Sequence, residues 1–178
     1  AGPAYGGSCF PKDTRAITVT GDLFNTNLSI IKSVIKSNNN RKTILTKRLD
    51  DILSKKVKNK KITFLGVTFK PNTDDMREST SLYMIPHLVK KGAKIKYYDP
   101  SGEKKNFFKN KSIVFSENIE DACDKADLVI IHTEWEEFKA LNFKKISKGK
   151  KFKIFDLRNL YSAQTIKKQG FKYYSIGR

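Results

Sequence analysis

The chain has 178 residues, with 36 Lys and Arg against 18 Asp and Glu, 38% hydrophobic residues and five prolines. This length and the 12 Phe and 7 Tyr predict one folded domain with attached elements and argue against a disordered chain. No apolar run approaches the roughly 18 residues of a membrane span, and the first residues lack the layout of a signal peptide. Two cysteines in dissimilar contexts, Cys9 and Cys123, are typical of a reducing environment, so we expect a cytoplasmic protein without a membrane partner.

The formal net charge of +18 raises the hypothesis of nucleic-acid binding. However, the basic residues are 30 Lys and only 6 Arg, and bidentate recognition of phosphates and bases favours Arg. The lysines are spread along the chain, and no zinc-finger, homeodomain or RNP-type pattern is present. We therefore predict no nucleic-acid partner, and a positive surface that attracts phosphorylated metabolites.

A loop and a helical region come first in chain order. Residues 1–13 contain Gly and Pro, which predicts a loop with unusual backbone conformations. Residues 14–58 contain no Pro, and their apolar residues recur at the spacings of three and four that are typical of amphipathic helices. A break near Gly21 predicts a short helix before a long one, and the polar run 37–40 predicts a kink or a buried polar contact. The helix cannot cover its own apolar stripe, so we expect this central region to pack between domains or against a second copy of itself, as a homodimer.

From residue 59 onward, the pattern changes to alternating strands and helices. Strands are predicted at 62–67, 94–98, 113–115, 128–132, 153–155 and 171–176, and the clearest helices at 81–91 and 162–169. Ser116 is the predicted cap of a further helix through Ala122. This alternation predicts an α/β fold over 59–178, a Rossmann-like, doubly wound parallel sheet that follows the long connecting helix.

The turn after the first predicted strand differs from a dinucleotide-binding turn. Residues 66–71 read GVTFKP rather than GxGxxG. Ligands of doubly wound sheets bind beyond the carboxyl ends of the strands. We therefore expect a ligand site in these loops, but one without the dinucleotide fingerprint.

Residues 6–13, GGSCFPKD, carry the densest chemical signal. Two glycines allow the backbone to approach a ligand closely, and Pro11 suits the first turn of a helix. Cys9 would then lie just before a helix N-terminus, where the helix dipole and Lys12 favour a nucleophilic thiolate. Asp13 lies one turn further along. From these residues alone, a buried structural cysteine in a turn is an equally good interpretation.

Five motifs resemble those of the UDP-glucose/GDP-mannose dehydrogenase family. The first is similar to the family's catalytic-cysteine loop, close to GPGYGGSCFPKD, with Ala4 where Gly is usual. A branch that acts on N-acetylated sugars reads GGHCIPVD instead, and Ser8, Phe10 and Lys12 argue against it. The others, in the family's order, are FKPNTDDMRES at 69–79, YDP at 98–100, TEWEEF at 133–138 after AD at 126–127, and FDLRN at 155–159.

The resemblance implies part of an NAD-dependent oxidoreductase that converts UDP-glucose to UDP-glucuronate in two successive oxidations. It implies Cys9 as the nucleophile, which forms a thiohemiacetal and then a thioester, and Asp13 as a general base. Lys12 and Arg77 would contact NAD. The nucleotide sugar would be contacted by Tyr5, Gly6, Phe69, Lys70 and Arg158. No metal site is visible.

The resemblance also implies a domain organisation. We expect the catalytic cysteine loop at 1–13, the central dimerisation region at 14–58 and the nucleotide-sugar-binding domain at 59–178. The chain would be a C-terminal portion without the N-terminal NAD-binding domain, and inactive by itself.

Two alternatives remain open. The GDP-mannose branch of the family, GDP-mannose 6-dehydrogenase, shares the cysteine loop, although the TEWEEF motif favours the UDP-glucose branch. A chain that is naturally this short would instead be a non-catalytic module for nucleotide-sugar binding and dimerisation.

Overall fold

The computed structural model describes residues 2–177 and contains one six-stranded parallel sheet of order β3-β2-β1-β4-β5-β6. The strands are β1 Lys61–Leu65, β2 Lys94–Tyr98, β3 Ile113–Phe115, β4 Leu128–Ile131, β5 Lys153–Asp156 and β6 Lys172–Ser175. The strand order reverses between β1 and β4, so the switch point of the sheet lies between these two strands. The predicted doubly wound α/β fold is confirmed.

Six α-helices accompany the sheet within residues 2–177. They are α1 Cys9–Leu23, α2 Ser29–Ile52, α3 Ser81–Lys90, α4 Ile119–Cys123, α5 Phe143–Ser147 and α6 Ala163–Lys168, with short 3-10 helices at Lys105–Phe107 and Glu136–Phe138. In this described part of the chain, every helix is too short or too polar to span a membrane.

Helices α1 and α2 form a hairpin, and the connection between them lies at a different place from the predicted one. The chain leaves helical conformation at 24–28 rather than at Gly21, which lies buried inside α1. A Cβ at Gly21 would lie 2.6 Å from Cδ1 of Leu28, so the glycine is needed for close packing and does not end the helix. The polar run 37–40 does not break α2, which is continuous. The sequence predicted either a kink or a buried polar contact for this run. The buried polar contact is observed, because Asn38 is buried.

The two faces of the sheet carry separate cores. Leu45, Leu49 and Ile52, on the C-terminal half of α2, pack on one face, so α2 is anchored to the sheet at this end. The opposite face buries Cys123 and Phe138. Fully burying one such large apolar side chain contributes about 1.5–3 kcal/mol, so the anchored half of α2 is firmly held.

The predicted cap of α4 is wrong. Asn118 caps this helix, because its Oδ1 accepts a hydrogen bond from the backbone N–H of Asp121 at 2.8 Å. Ser116 instead continues the strand ladder, since its N–H donates to the carbonyl of Tyr97 at 2.9 Å. Ser116 is therefore held by the sheet, two residues before the N-cap of α4.

Gly66 marks the close approach of the chain segments that follow β1 and β4. It has φ +75°, and a Cβ built on it would lie 2.5 Å from Cβ of Thr133. We expect Gly66→Ala to lower the free energy of unfolding by about 3 kcal/mol, because left-handed strain and the collision with Thr133 add. Urea denaturation measures this change.

Gly102→Ala is the matched control for this prediction. Gly102 has φ +84° but open space around the built Cβ, so strain alone should lower the stability by about 1 kcal/mol. Equal losses in the two variants would show that the contact with Thr133 is unimportant.

Candidate functional site

The candidate site lies at the carboxyl edge of the sheet, where four chain segments meet. They are the N-terminal loop (residues 2–8), the β1–α3 segment (66–80), and the loops after β4 (132–135) and β5 (157–159). The sheet brings the last three together because the carboxyl ends of β1, β4 and β5 are neighbours. The N-terminal loop is added to them by contacts with α2 and with the β1–α3 segment.

Arg158 joins the loops that follow β1, β4 and β5. Its Nε donates to the carbonyl of His132 at 2.8 Å, and its Nη2 donates to the carbonyl of Phe69 at 2.9 Å. Its Nη1 lies 3.2 Å from a carboxylate oxygen of Glu134. The side chain is 9% exposed, and burial lowers the pKa of the guanidinium while Glu134 opposes that shift. Arg158 therefore lies at the candidate site, with much of its hydrogen-bonding capacity engaged by the protein.

The glycine pair of the N-terminal loop lies directly on the β1–α3 segment. The N–H of Gly7 donates to the carbonyl of Arg77 at 2.8 Å. A Cβ on Gly7 would lie 2.7 Å from the Phe69 ring, and one on Gly6 would lie 2.8 Å from the carbonyl oxygen of Glu78. The glycines thus allow the loop to approach the protein's own surface closely, and their predicted approach to a ligand stays a prediction. It brings Gly6 and Phe69, two predicted sugar contacts, together.

Helix α2 holds the other side of the N-terminal loop. The N–H of Tyr5 donates to Asn38 Oδ1 at 2.9 Å, and Asn38 Nδ2 donates to the carbonyl of Tyr5 at 3.2 Å. Arg41 donates from Nε to the carbonyl of Pro3 at 2.6 Å and from Nη2 to that of Gly2 at 3.1 Å. Sequence reasoning missed both α2 residues. The one available signal was the polar run that crosses the apolar stripe.

Glu78 connects both long helices to the β1–α3 segment. Its carboxylate accepts hydrogen bonds from Lys42 at 2.8 Å and from Arg15 at 2.7 Å. The Lys42 side chain is 4% exposed, and its ammonium also lies 4.3 Å from the ring centroid of Tyr83. Lys42 and then Arg15 lower the pKa of the Glu78 carboxyl. Glu78 is therefore ionised at neutral pH, and Lys42 is paired.

Cys9 is the first residue of α1 and is exposed, so the interpretation of Cys9 as a buried structural cysteine is wrong. Its Sγ lies 3.6 Å from the hydroxyl of Ser8. Lys12 and Asp13 follow on the same exposed turn, where Nζ and Oδ1 are 3.4 Å apart. The predicted place of Cys9 just before the helix is thus shifted by one residue, to its first turn.

Arg77 and Lys70 project from the β1–α3 segment. Arg77 forms a bidentate pair with Asp75, with Nε–Oδ1 and Nη2–Oδ2 distances of 2.9 Å. Asp75 raises the pKa of the Arg77 guanidinium through this hydrogen-bonded pair. Lys70 is exposed, with its Nζ 5.4 Å from the ring centroid of Phe69. Both cations are therefore accessible beside the site.

Asp99 accepts hydrogen bonds from the backbone N–H groups that bind the pyrophosphate in dinucleotide-binding sheets. Its Oδ2 accepts from the N–H groups of Val67 at 2.7 Å and Thr68 at 3.3 Å, directly after β1. In dinucleotide-binding sheets, this turn and the following helix N-terminus hold the pyrophosphate. The turn therefore does not fit NAD. Among residues 2–177, no three His, Cys, Asp or Glu side chains are grouped to hold a metal ion.

Comparison with known proteins places this site in a family. A model described as the UDP binding domain of the UDP-glucose/GDP-mannose dehydrogenase family matches residues 63–163, and a model of that family's central domain matches residues 1–40. The chain belongs to the UDP-glucose/GDP-mannose dehydrogenase family.

Individual relatives agree with this membership. The chain is 39% identical to a UDP-glucose 6-dehydrogenase of Rickettsia felis and 38% identical to one of Rhizobium meliloti, over 99% and 100% of its length. A UDP-glucose dehydrogenase from Pyrobaculum islandicum superposes on 98% of the chain with a TM-score of 0.81 at 29% identity. The chain spans 40%, 41% and 38% of these three proteins, respectively.

The two cysteines of this family member should differ strongly in reactivity. Cys9 is exposed, whereas Cys123 is 1% exposed and burial raises the pKa of its thiol to about 12. We expect iodoacetamide at neutral pH to label Cys9 at least about a hundredfold faster. Mass spectrometry of peptides from the native chain measures both rates. Both cysteines should react in denaturant, and equal rates in the native chain would contradict the burial of Cys123.

Proposed function

We propose that the chain is the thiol-bearing and nucleotide-sugar-binding portion of a UDP-glucose 6-dehydrogenase. The proposed enzyme oxidises UDP-glucose to UDP-glucuronate in two successive steps. The observation that carries the proposal is the position of Cys9. An exposed thiol on the first turn of α1 follows a loop that lies against Phe69, Arg77 and Glu78.

In the proposed reaction Cys9 acts on the aldehyde that the first oxidation produces at C6 of the sugar. The thiol loses its proton, its sulfur forms a bond to the carbonyl carbon as the C=O double bond becomes single, and the oxygen takes up that proton, which gives a thiohemiacetal. The second oxidation removes a hydride and that proton and leaves a thioester. Water then cleaves the C–S bond, which releases the carboxylate and returns the thiol. NAD+ would supply the oxidant for both steps as the hydride acceptor.

Other residues of the chain would support this chemistry. Asp13, one turn from Cys9, would take a proton from the attacking water as a general base. Lys12 and Arg77, both exposed cations beside the site, would contact the dinucleotide. The nucleotide sugar would be contacted by Tyr5, Gly6, Phe69, Lys70 and Arg158.

UDP-glucose is favoured over GDP-mannose as the substrate. The relatives from Rickettsia felis and Rhizobium meliloti both carry the name UDP-glucose 6-dehydrogenase, and the family model over 63–163 is that of a UDP binding domain. The non-catalytic module is disfavoured because Cys9 is exposed at the site. Both thiols are free, which fits a reducing cytoplasmic location.

A second copy of the chain is the proposed partner for the α1–α2 hairpin. Leu23 and Phe24 are 75% and 77% exposed at its tip, and Ile30 is 79% exposed on α2. Exposed apolar clusters of this kind mark interaction surfaces. We therefore propose a homodimer through this central region.

Ligand binding by the chain tests the proposed function. In saturation-transfer NMR, we expect saturable but weak binding of UDP-glucose and weaker binding of GDP-mannose. In a separate assay of NADH production, the chain should not reduce NAD+. Lys70→Ala should weaken UDP-glucose binding about tenfold, because a charge-assisted contact is lost. Cys9→Ser should bind normally, since no covalent bond forms before oxidation.

Lys56→Ala, which removes an exposed lysine outside the site, is the matched control for Lys70→Ala. Absence of saturable binding, or equal effects of the two lysine variants, would refute the nucleotide-sugar site. NADH production by the purified chain would refute the conclusion that its sheet does not fit the dinucleotide.

The dimer is tested by replacing the exposed apolar side chains of α2. Ile30→Gln with Val34→Gln leaves the charge unchanged and should shift the chain from dimer to monomer in sedimentation velocity, because the apolar contact area is lost. Asn39→Gln with Thr43→Gln has the same spacing on exposed positions of α2 and should leave the dimer intact. An unmodified chain that sediments as a monomer would refute the proposed interface.

A further inference from the structure

Asn38 is a buried amide on an otherwise exposed stretch of α2. It is 9% exposed, whereas its neighbours Ser37, Asn39 and Asn40 are exposed. Its carboxamide both accepts from the N–H of Tyr5 and donates to the carbonyl of Tyr5. The amide thus pairs with both backbone groups of one residue, as a neighbouring strand would. This pairing fixes the backbone of Tyr5 relative to α2.

Tyr5 passes this restraint on to the residues around Cys9. Its ring meets the ring of Phe10 edge to face, with centroids 4.7 Å apart and an interplanar angle of 89°. Phe10 directly follows Cys9. On the other side of the loop, the N–H of Gly7 donates a hydrogen bond to the carbonyl of Arg77. Along the chain, Cys9 therefore lies between the Gly7–Arg77 hydrogen bond and the Tyr5–Phe10 ring contact.

We propose that Asn38 is a positioning residue for the Cys9 thiol. The proposal rests on the proposed function of Cys9 as the nucleophile. Asn38 acts through Tyr5 and does not touch the sugar. Its loss should leave most of the nucleotide-sugar binding in place, because Phe69, Lys70 and Arg158 belong to other segments and only the contacts of the N-terminal loop depend on Asn38. The thiol should then no longer be held where the sugar C6 lies, which a nucleophilic attack requires.

The test measures binding and thiol position separately. UDP-glucose binding is measured by saturation-transfer NMR for wild type, Asn38→Ala and Asn39→Ala. The rate of Cys9 alkylation by iodoacetamide is then measured with and without UDP-glucose at concentrations that saturate each variant. Unreacted Cys123 in the same samples shows that the fold is intact. Since Asn is a poorer helix former than Ala, neither substitution should weaken α2.

We expect bound UDP-glucose to slow Cys9 alkylation about tenfold in wild type and in Asn39→Ala, and to have little effect in Asn38→Ala. The two hydrogen bonds that Asn38 forms with Tyr5 are together strong enough to account for a tenfold change in how often the loop holds this position. Equal protection in all three proteins would refute the positioning role. Absence of binding in wild type would instead refute the proposed function, so the two failures are distinguishable.

A second variant keeps the test decisive if Asn38→Ala exposes Cys123. Asn38→Asp retains an acceptor for the N–H of Tyr5 but places a carboxylate oxygen against the carbonyl of Tyr5. It should lose protection of Cys9 in the same way while UDP-glucose still binds. Full protection in a folded Asn38→Asp protein would overturn the proposal.

Discussion

The ion pair between Lys42 and Glu78 is the contact on which the arrangement of the site depends. Lys42 is 4% exposed, and a buried ammonium is tolerated only when a carboxylate and further polar groups compensate it. Removing one partner of such a pair costs about 3–5 kcal/mol because the other charge remains buried. The pair therefore fixes the β1–α3 segment against α2, and Arg15 extends this connection to α1. The N-terminal loop is enclosed between the elements that this carboxylate joins.

A second constraint explains how the sheet has the dinucleotide-binding topology without the matching turn. The strand order places N–H groups at the end of β1, where a pyrophosphate would be expected. Here Asp99, at the end of β2, satisfies the N–H groups of Val67 and Thr68 from within the protein. A phosphate at that turn would meet a buried carboxylate and occupied donors. The long β1–α3 segment, with the motif at 69–79, instead projects the accessible cations Lys70 and Arg77.

The sequence was informative where periodicity or a motif reports directly on backbone structure. All six strands were predicted within about two residues, because central strands such as β4 are short apolar runs and outer ones such as β2 alternate between buried and more exposed residues. The cysteine loop and the β1–α3 segment were predicted as parts of one site because both resemble motifs of one family. Their mutual contact could not be derived, since periodicity does not report which loop packs on which helix.

Long-range polar partners were the least predictable part of the site. The bond between Asn38 and Tyr5 joins residues 33 positions apart, and that between Lys42 and Glu78 joins residues 36 apart. In the sequence these side chains look like ordinary polar residues of a helix. The cap of α4 failed for a related reason, because the β2–β3 ladder holds Ser116 in place before the helix begins.

Burial separates the cations that mainly hold the site together from those that are exposed to solvent. Lys42 and Arg158 have side chains only 4% and 9% exposed, and both are engaged by carboxylates or carbonyls of the protein. Lys12, Lys70 and Arg77 are exposed at the same edge. The N-terminal loop is held largely through its backbone, at Gly2, Pro3, Tyr5 and Gly7. This mode of attachment leaves the Cys9 side chain exposed, as the proposed covalent catalysis by its thiol requires.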